Sequence, residues 1–235
     1  MKGTLYLIPS LLGDSAVDRV ITPFSREIVG SLSCFIVEDI KTARRFIKKV
    51  IPSFPVEKAR FSILNEHTHI HEIDHLLQPL EEGHDVGLLS DAGCPAIADP
   101  GAELVALAHD RGIRVKPMVG PASILLALMA SGFNGQNFSF NGYLPKERKE
   151  RIKKLRELES AAIKKKQTQV FIETPYRNQN LFEDILNVCQ PSTRLCIAAD
   201  LTQEGEMVHS APVADWKKRI INLKNREVVF LLYST

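Results

Sequence analysis

The sequence predicts an α/β protein built from two α/β domains, with the cleft between them the expected ligand site. Short aliphatic runs alternate with longer helical patterns through the first half, the signature of a mainly parallel sheet flanked by helices. After Gly120 the texture changes, with aromatic–polar alternation and hairpin-like spacing that predict a mixed sheet. Two turns rich in small residues follow strand-like runs, the place where open α/β sheets hold ligands.

In order, strands are expected at Thr4–Ile8, Cys34–Val37, 61–64, 85–89 and Arg114–Pro117, with helices at 15–30, 40–51, 68–82 and 101–111. Gly83 and Gly112 follow the last two helices as stop residues. A helix over 122–131 leads into strand-like 138–143, then a basic helix within 146–166. Strands near 168–172, 194–199 and 227–233 and a helix over 175–189 complete the chain. The boundary is placed near Pro117, giving an N-terminal parallel domain (1–117) and a C-terminal mixed domain (118–235); 235 residues suffice for two modest domains.

Composition narrows the function. With 44% hydrophobic and 25% charged residues, the chain is neither collagenous nor disordered. Its 30 basic and 28 acidic side chains give +2, so nucleic-acid affinity would need a local patch. Cys34, Cys94, Cys189 and Cys196 form no C-x-x-C pair and read as reduced thiols. The start lacks a secretory n-region, and the longest apolar stretch, 118–130, contains Gly120 and Pro121 and is too short to span a bilayer. These features predict a cytoplasmic protein with no membrane association.

The most informative segment runs from Val86 through Leu89, Ser90, Asp91, Ala92 and Gly93 to Asp99-Pro100-Gly101. A buried strand ends at Leu89; Ala92 and Gly93 let a ligand approach the backbone, and Ser90 and Asp91 offer hydrogen bonds. Asp99 is read as the cap of the next helix. The alternative is a tight strand-to-helix connection without a ligand. Gly120-Pro121-Ala122-Ser123 is a second such turn, whose N–H groups suit a carboxylate, or which simply opens a buried helix. Neither is a G-x-G-x-x-G or a P-loop, so dinucleotide oxidoreduction and NTP hydrolysis lack their phosphate-cradling loops.

His67, His71 and His75 share a face if helical, but no further cluster completes a tetrahedral shell; a solvated face is expected and no metal. Residues 146–166 carry ten basic and four acidic side chains, with apolar residues at helical spacing, so Lys149, Lys153 and Arg156 form a basic ridge. That ridge is either a solvated face or a phosphate-backbone contact. Glu38-Asp39, Glu173, Glu204 and Glu206 are candidate bases, and Cys94 is a weak nucleophile candidate.

The blocks Leu89-Ser90-Asp91-Ala92-Gly93-Cys94-Pro95 to Asp99-Pro100-Gly101, 112–117 and Gly120-Pro121-Ala122-Ser123 resemble the tetrapyrrole-methylase superfamily. The closest branch is similar to the bacterial 16S rRNA (cytidine) 2′-O-ribose methyltransferase I family. The similarity continues through Leu5-Tyr6-Leu7-Ile8-Pro9, Val37-Glu38-Asp39, 140–146, Glu173-Thr174-Pro175-Tyr176-Arg177 and 208–213. The resemblance implies S-adenosyl-L-methionine (SAM) as methyl donor, a cofactor cleft between two domains, and a homodimer. Cofactor positions carried over are Pro9, Leu89, Ser90, Asp91, Ala92, Gly93, Ile97, Ala122, Ser123 and Thr174.

Toward the substrate the chain departs from the family pattern. The usual Thr-Pro-x-Gly-Asn is Ser10-Leu11-Leu12-Gly13-Asp14, and Glu-Asp-Thr-Arg is Glu38-Asp39-Ile40-Lys41. Arg-Glu-Leu-Thr-Lys is Ala199-Asp200-Leu201-Thr202-Gln203. The expected reaction moves the sulfonium methyl to an RNA ribose 2′-hydroxyl of the small ribosomal subunit. Asp39 and Asp91 are the expected catalytic carboxylates, and Lys41 and Arg177 the expected phosphate holders. The competing expectations are SAM-dependent methylation of a tetrapyrrole or another small metabolite, and a non-catalytic RNA-binding module.

Overall fold

A computed structural model describes residues 1–234, the side chains of residues 70 and 71 excepted. The chain divides into two compact units, Met1–Ala122 and the remainder from Ser123.

The first unit contains β1 (Thr4–Ile8), α1 (Val17–Val20), α2 (Pro23–Ser31), β2 (Cys34–Val37), α3 (Ile40–Val50), β3 (Arg60–Ile63) and α4 (Ile70–Leu76). It continues with α5 (Gln78–Glu81), β4 (Val86–Leu89), α6 (Ala102–Asp110) and β5 (Arg114–Pro117). The strands form one sheet in the order β3-β2-β4-β1-β5, every pair parallel. Parallel strands need crossover helices, and these cover both faces. Phe35, Val37 and Leu89 point to a core with Val29, Phe46, Ile47 and Val50 from α2 and α3. Cys34, Ile36 and Leu88 point the other way, to Ile73 of α4, Leu77 between α4 and α5, Leu80 of α5 and Leu104 of α6. This two-residue alternation, buried on both sides, explains why β2 and β4 read as unbroken apolar runs.

The second unit contains α7 (Ser123–Ser131), β6 (Phe138–Tyr143), α8 (Arg148–Lys165), β7 (Thr168–Ile172) and α9 (Asn178–Val188). β8 (Arg194–Ala199), β9 (Met207–Pro212), α10 (Val213–Trp216) and β10 (Val228–Tyr233) follow. The sheet order is β6-β7-β10-β8-β9, with only β6–β7 parallel. Leu195, Ile197, Phe230 and Leu232 face a core shared with Leu155, Leu158, Leu181, Phe182 and Trp216. α7 packs on β8, β9 and β10.

Three local expectations are corrected. The helix expected over 15–30 breaks before Pro23, which takes the first turn of α2, while Thr22 accepts from the Ser25 amide at 3.0 Å. The helix expected over 68–82 starts at Ile70 behind a His69–Glu72 capping box and divides at Leu77, with Pro79 in the first turn of α5. α6 is not capped by Asp99: Gly101, at φ +132°, precedes its first residue. β9 was not among the expected strands. It is an edge strand whose central residues, His209 and Ser210, carry no apolar signal. Among the described residues no helix is long and apolar enough to cross a membrane.

Candidate active site

The first unit brings three chain turns together at the carboxyl ends of β1, β4 and β5. Beyond β1, the Ser10 amide donates to Gly93 O at 2.8 Å, and the Gly93 amide donates to Ser10 O at 3.3 Å. Buried Ser10 Oγ donates to Ser90 O at 2.7 Å, and Ser90 Oγ to Gly93 O at 3.3 Å. These bonds satisfy polar groups that would be costly to bury unpaired. Beyond β5, Pro121 O accepts from Cys94 Sγ at 3.3 Å. Gly120 lies so close to β1's exit that a Cβ there would come within 2.6 Å of Pro9 Cβ. Only a residue without a side chain allows that approach.

The central turn is conformationally strained. Gly93 has φ +72°, which glycine adopts freely, but Ala96 and Ala98 hold φ +66° and +62°. Left-handed alanine costs about 1–2 kcal/mol per residue. Such strain collects where a loop must present particular groups.

Those groups are carboxylates. Glu38, just beyond β2, accepts from the Asp91 amide at 2.8 Å through Oε2. Burial raises the Glu38 pKa, opposed by that hydrogen bond, and the Asp91 and Glu66 charges add to the rise. Asp91 is raised by burial and then by the Asp39 charge. Asp99 is pushed up to about 7, chiefly by burial, then by Glu38 and Asp91, while a hydrogen bond from Ser90 opposes the shift. Burial, helped by the Asp99 charge, also raises the Cys94 thiol, so it is a poor nucleophile and serves as a donor to Pro121.

Of the residues expected from the sequence, Pro9, Leu89, Ser90 and Gly93 are buried in this knot, whereas Asp91, Ala92 and Ile97 are exposed on it. Ala122 closes the first unit at half-burial. Asp39 is the N-cap of α3, accepting from the Thr42 amide at 2.7 Å; hydrogen bonds from Thr42 hold its pKa below the usual value. Exposed Lys41 is in the first turn of the same helix. Ser123, Thr174 and Arg177 belong to the second unit. There Arg177 pairs with Glu173, whose side chain is fully buried, and Arg177 Nε also donates to Thr174 Oγ1 at 3.1 Å. His67 and His69 precede α4, and the His71 side chain lies outside the described residues.

Sequence reading missed Ser10 as the link between two turns and Asp99 as a member of the carboxylate group. The Asp-Pro-Gly order was the available signal for Asp99, because glycine before a helix can set the start two residues past proline and leave the aspartate off the cap.

Comparison with known proteins places this architecture. Residues 11–216 match the family described as Tetrapyrrole (Corrin/Porphyrin) Methylases. The chain is 32% identical over 234 residues to the ribosomal RNA small subunit methyltransferase I of Escherichia coli O157:H7, covering 98% of this chain and 78% of the relative. The protein of that name from Vibrio cholerae is also 32% identical, over 97% of this chain and 76% of the relative. Among solved structures, the methyltransferase CobJ superposes with a TM-score of 0.64 at 15% identity, covering 100% of this chain and 94% of that one. The uroporphyrin-III-C-methyltransferase from Thermus thermophilus gives 0.56 at 18% identity over 99% and 93%. These two show a shared fold. The chain is a methyltransferase of the tetrapyrrole methylase family and belongs there with the ribosomal RNA small subunit methyltransferase I proteins.

Proposed function

We propose that this methyltransferase uses SAM to methylate a ribose 2′-hydroxyl, that of a cytidine, in small-subunit ribosomal RNA. The observation that carries the reading is the knot joining Pro9-Ser10, Ser90–Cys94 and Gly120-Pro121 beside three carboxylates. The names of the relatives supply the RNA.

The donor set suits the cofactor. Burial raises the pKa of Glu38, Asp91 and Asp99, and the Asp91 charge adds to the rise at Glu38 and the Glu38 and Asp91 charges to that at Asp99, a repulsion that a cationic, hydroxyl-bearing ligand relieves. Bound there, SAM supplies an activated methyl on a sulfonium. Pro9, Leu89, Ser90, Ala92, Gly93, Ile97 and Ala122 would hold it from the first unit, and Ser123 and Thr174 from the second. The protein's main contribution is alignment, an effect that reaches several kcal/mol. Asp91 would take the hydroxyl proton, its raised pKa making it a better base than an ordinary aspartate. Asp39 supports it by charge from the cap of α3. Lys41 is open to meet a phosphate; Arg177 would do so while anchored to Glu173.

The reading includes a cytoplasmic homodimer. Leu125 and Met129, one turn apart on α7 and 51% and 79% exposed, are apolar side chains that a second copy would cover. Sedimentation at micromolar concentration should give twice the chain mass.

The decisive experiment supplies labelled SAM and small-subunit particles lacking modification. Label should enter the RNA, and nuclease digestion with mass spectrometry should find it on one ribose. Absence of incorporation by protein that binds SAM would overturn the RNA reading.

A further inference from the structure

The outward face of α8 carries a basic stripe. Lys149, Lys153, Arg156 and Lys164, with Ser160 between the last two, recur at spacings of three, four and eight residues and share one side of the helix. At 1.5 Å per residue the stripe runs about 22 Å. All four charged side chains are exposed, and none is in an ion pair or side-chain hydrogen bond among the described residues. Arg148 and Arg151 of the same helix are instead both tied to Asp184.

Two adjoining shallow hollows, about 520 and 500 Å3, lie along this face and share Lys153 and Arg156 in their walls. Glu150 and Glu157 also line these hollows, three residues before and four after Lys153, so the face is basic in excess rather than purely basic. Lys149 and Lys153, and Lys153 and Arg156, are like-charged neighbours one turn apart, set against Glu150 and Glu157 at the same spacing from Lys153. Lys149 also stands in the first turn, where the helix dipole repels cations. Basic charge concentrated on one exposed face, while the whole chain is nearly neutral, fits an anionic partner of extended, repeating charge.

We propose that this face of α8 is a docking surface for the phosphate backbone of folded RNA, holding the substrate without reading its sequence. The proposal rests on the RNA reading above for its class of partner and adds the place of contact. A membrane surface fits less well. The apolar side of α8, with Leu155, Leu158 and Ala162, is already buried against the second unit's core, leaving little to insert among lipids. Phosphate contacts of this kind position a nucleic acid and carry no base information.

The test titrates the full chain into a fluorescein-labelled RNA hairpin at several potassium chloride concentrations, comparing it with the K149Q/K153Q/R156Q variant. Each phosphate contact contributes about 0.7–0.9 to the slope of log affinity against log salt. The variant should bind at least about tenfold more weakly at low salt, with a slope shallower by about 2, while calorimetry with S-adenosylhomocysteine stays unchanged. If the triple variant fails to fold, K149Q and R156Q alone should each lower the slope by about 1. Unchanged affinity and slope would overturn the proposal. So would tighter binding to phosphatidylserine vesicles than to the hairpin through the same basic residues. The two readings fail separately: methyl transfer to small-subunit particles with no slope change removes the stripe alone, and hairpin binding through the stripe with no transfer removes only the reaction.

Discussion

Glu38 and Asp91, 53 positions apart in the chain, are joined by the Asp91 amide donating to Glu38 Oε2 at 2.8 Å. The bond ties the exit of β2 to the central turn beyond β4, and it holds a carboxylate beside two others. Asp99 feels the charge of both Glu38 and Asp91, so a charge removed from Glu38 is felt there.

Glu38→Gln tests that coupling directly. Glutamine still accepts from the Asp91 amide through its carbonyl oxygen, so the turn should hold. The Asp99 carboxyl, however, loses the Glu38 charge, its second-largest upward push, and should titrate below its present value of about 7. Carbon-detected NMR of the aspartate side chains should record the fall. An unmoved Asp99 titration would show that the Glu38 charge does not reach it.

Asp99 also makes stability depend on pH. Its folded pKa is raised, so between about 4 and 7 the folded state binds the proton that the unfolded state has released. Its contribution is thus intact below about pH 4, declines as pH rises, and is fully lost above about pH 7. Asp99→Asn, which stays neutral and can still accept from Ser90, should melt above the wild type at pH 8. The gap should close at pH 4. Solvent contact limits the effect to about 1–2 kcal/mol, or several degrees. Thermal unfolding at the two pH values checks it, and an equal gap at both would exclude titration as the cause.

What the sequence disclosed follows from which forces are local. β1 and β2 were legible to the residue because a strand packed on both faces is an aliphatic run bounded by turn residues. The edge strand β5, Arg114-Val115-Lys116-Pro117, was instead placed by the Gly112 stop before it and the Gly120-Pro121 turn after it. The central turn was legible because Ser90-Asp91-Ala92-Gly93 needs small residues for its own path. Partners distant in the chain were not legible. Nothing near Glu38 announces Asp91, and nothing in Cys94 announces Pro121 O. Arg177 looked like a free cation in sequence, because its buried partner Glu173 is recognisable only once β7 is packed.

Gly120→Ala should damage the site by steric displacement alone, since a Cβ there would meet Pro9 Cβ at 2.6 Å. Overpacking of this kind costs about 1–3 kcal/mol. Shifting the Gly120-Pro121 turn should also loosen its bond to Cys94 and weaken S-adenosylhomocysteine binding at least about tenfold. Gly135→Ala is the control, because a Cβ at that position meets nothing within 4 Å. Calorimetry on both variants decides it. Equal affinities would separate the Gly120 turn from the cofactor site.

The buried pair Arg151–Asp184 anchors α8 to α9 and thereby presents the basic stripe. Arg151 Nη2 and Nε donate to Asp184 Oδ2 at 2.7 and 3.0 Å, and Nη1 donates to Lys146 O at 2.8 Å. Both side chains are more than nine-tenths buried. Removing Arg151 leaves buried Asp184 with only the largely exposed Arg148 as a partner, so Arg151→Met should lose about 3 kcal/mol in urea unfolding, the lower end of the cost of breaking a buried pair. The double variant R151M/D184L buries no charge and should regain most of that loss, since a buried pair often does no better than apolar residues of similar volume. Arg148 also pairs with Asp184 and should then be free to join the exposed cations of α8. Salt-dependent RNA binding by the double variant should accordingly be retained or strengthened, and a parallel loss of stability in single and double variants would show that the pair acts through packing rather than charge.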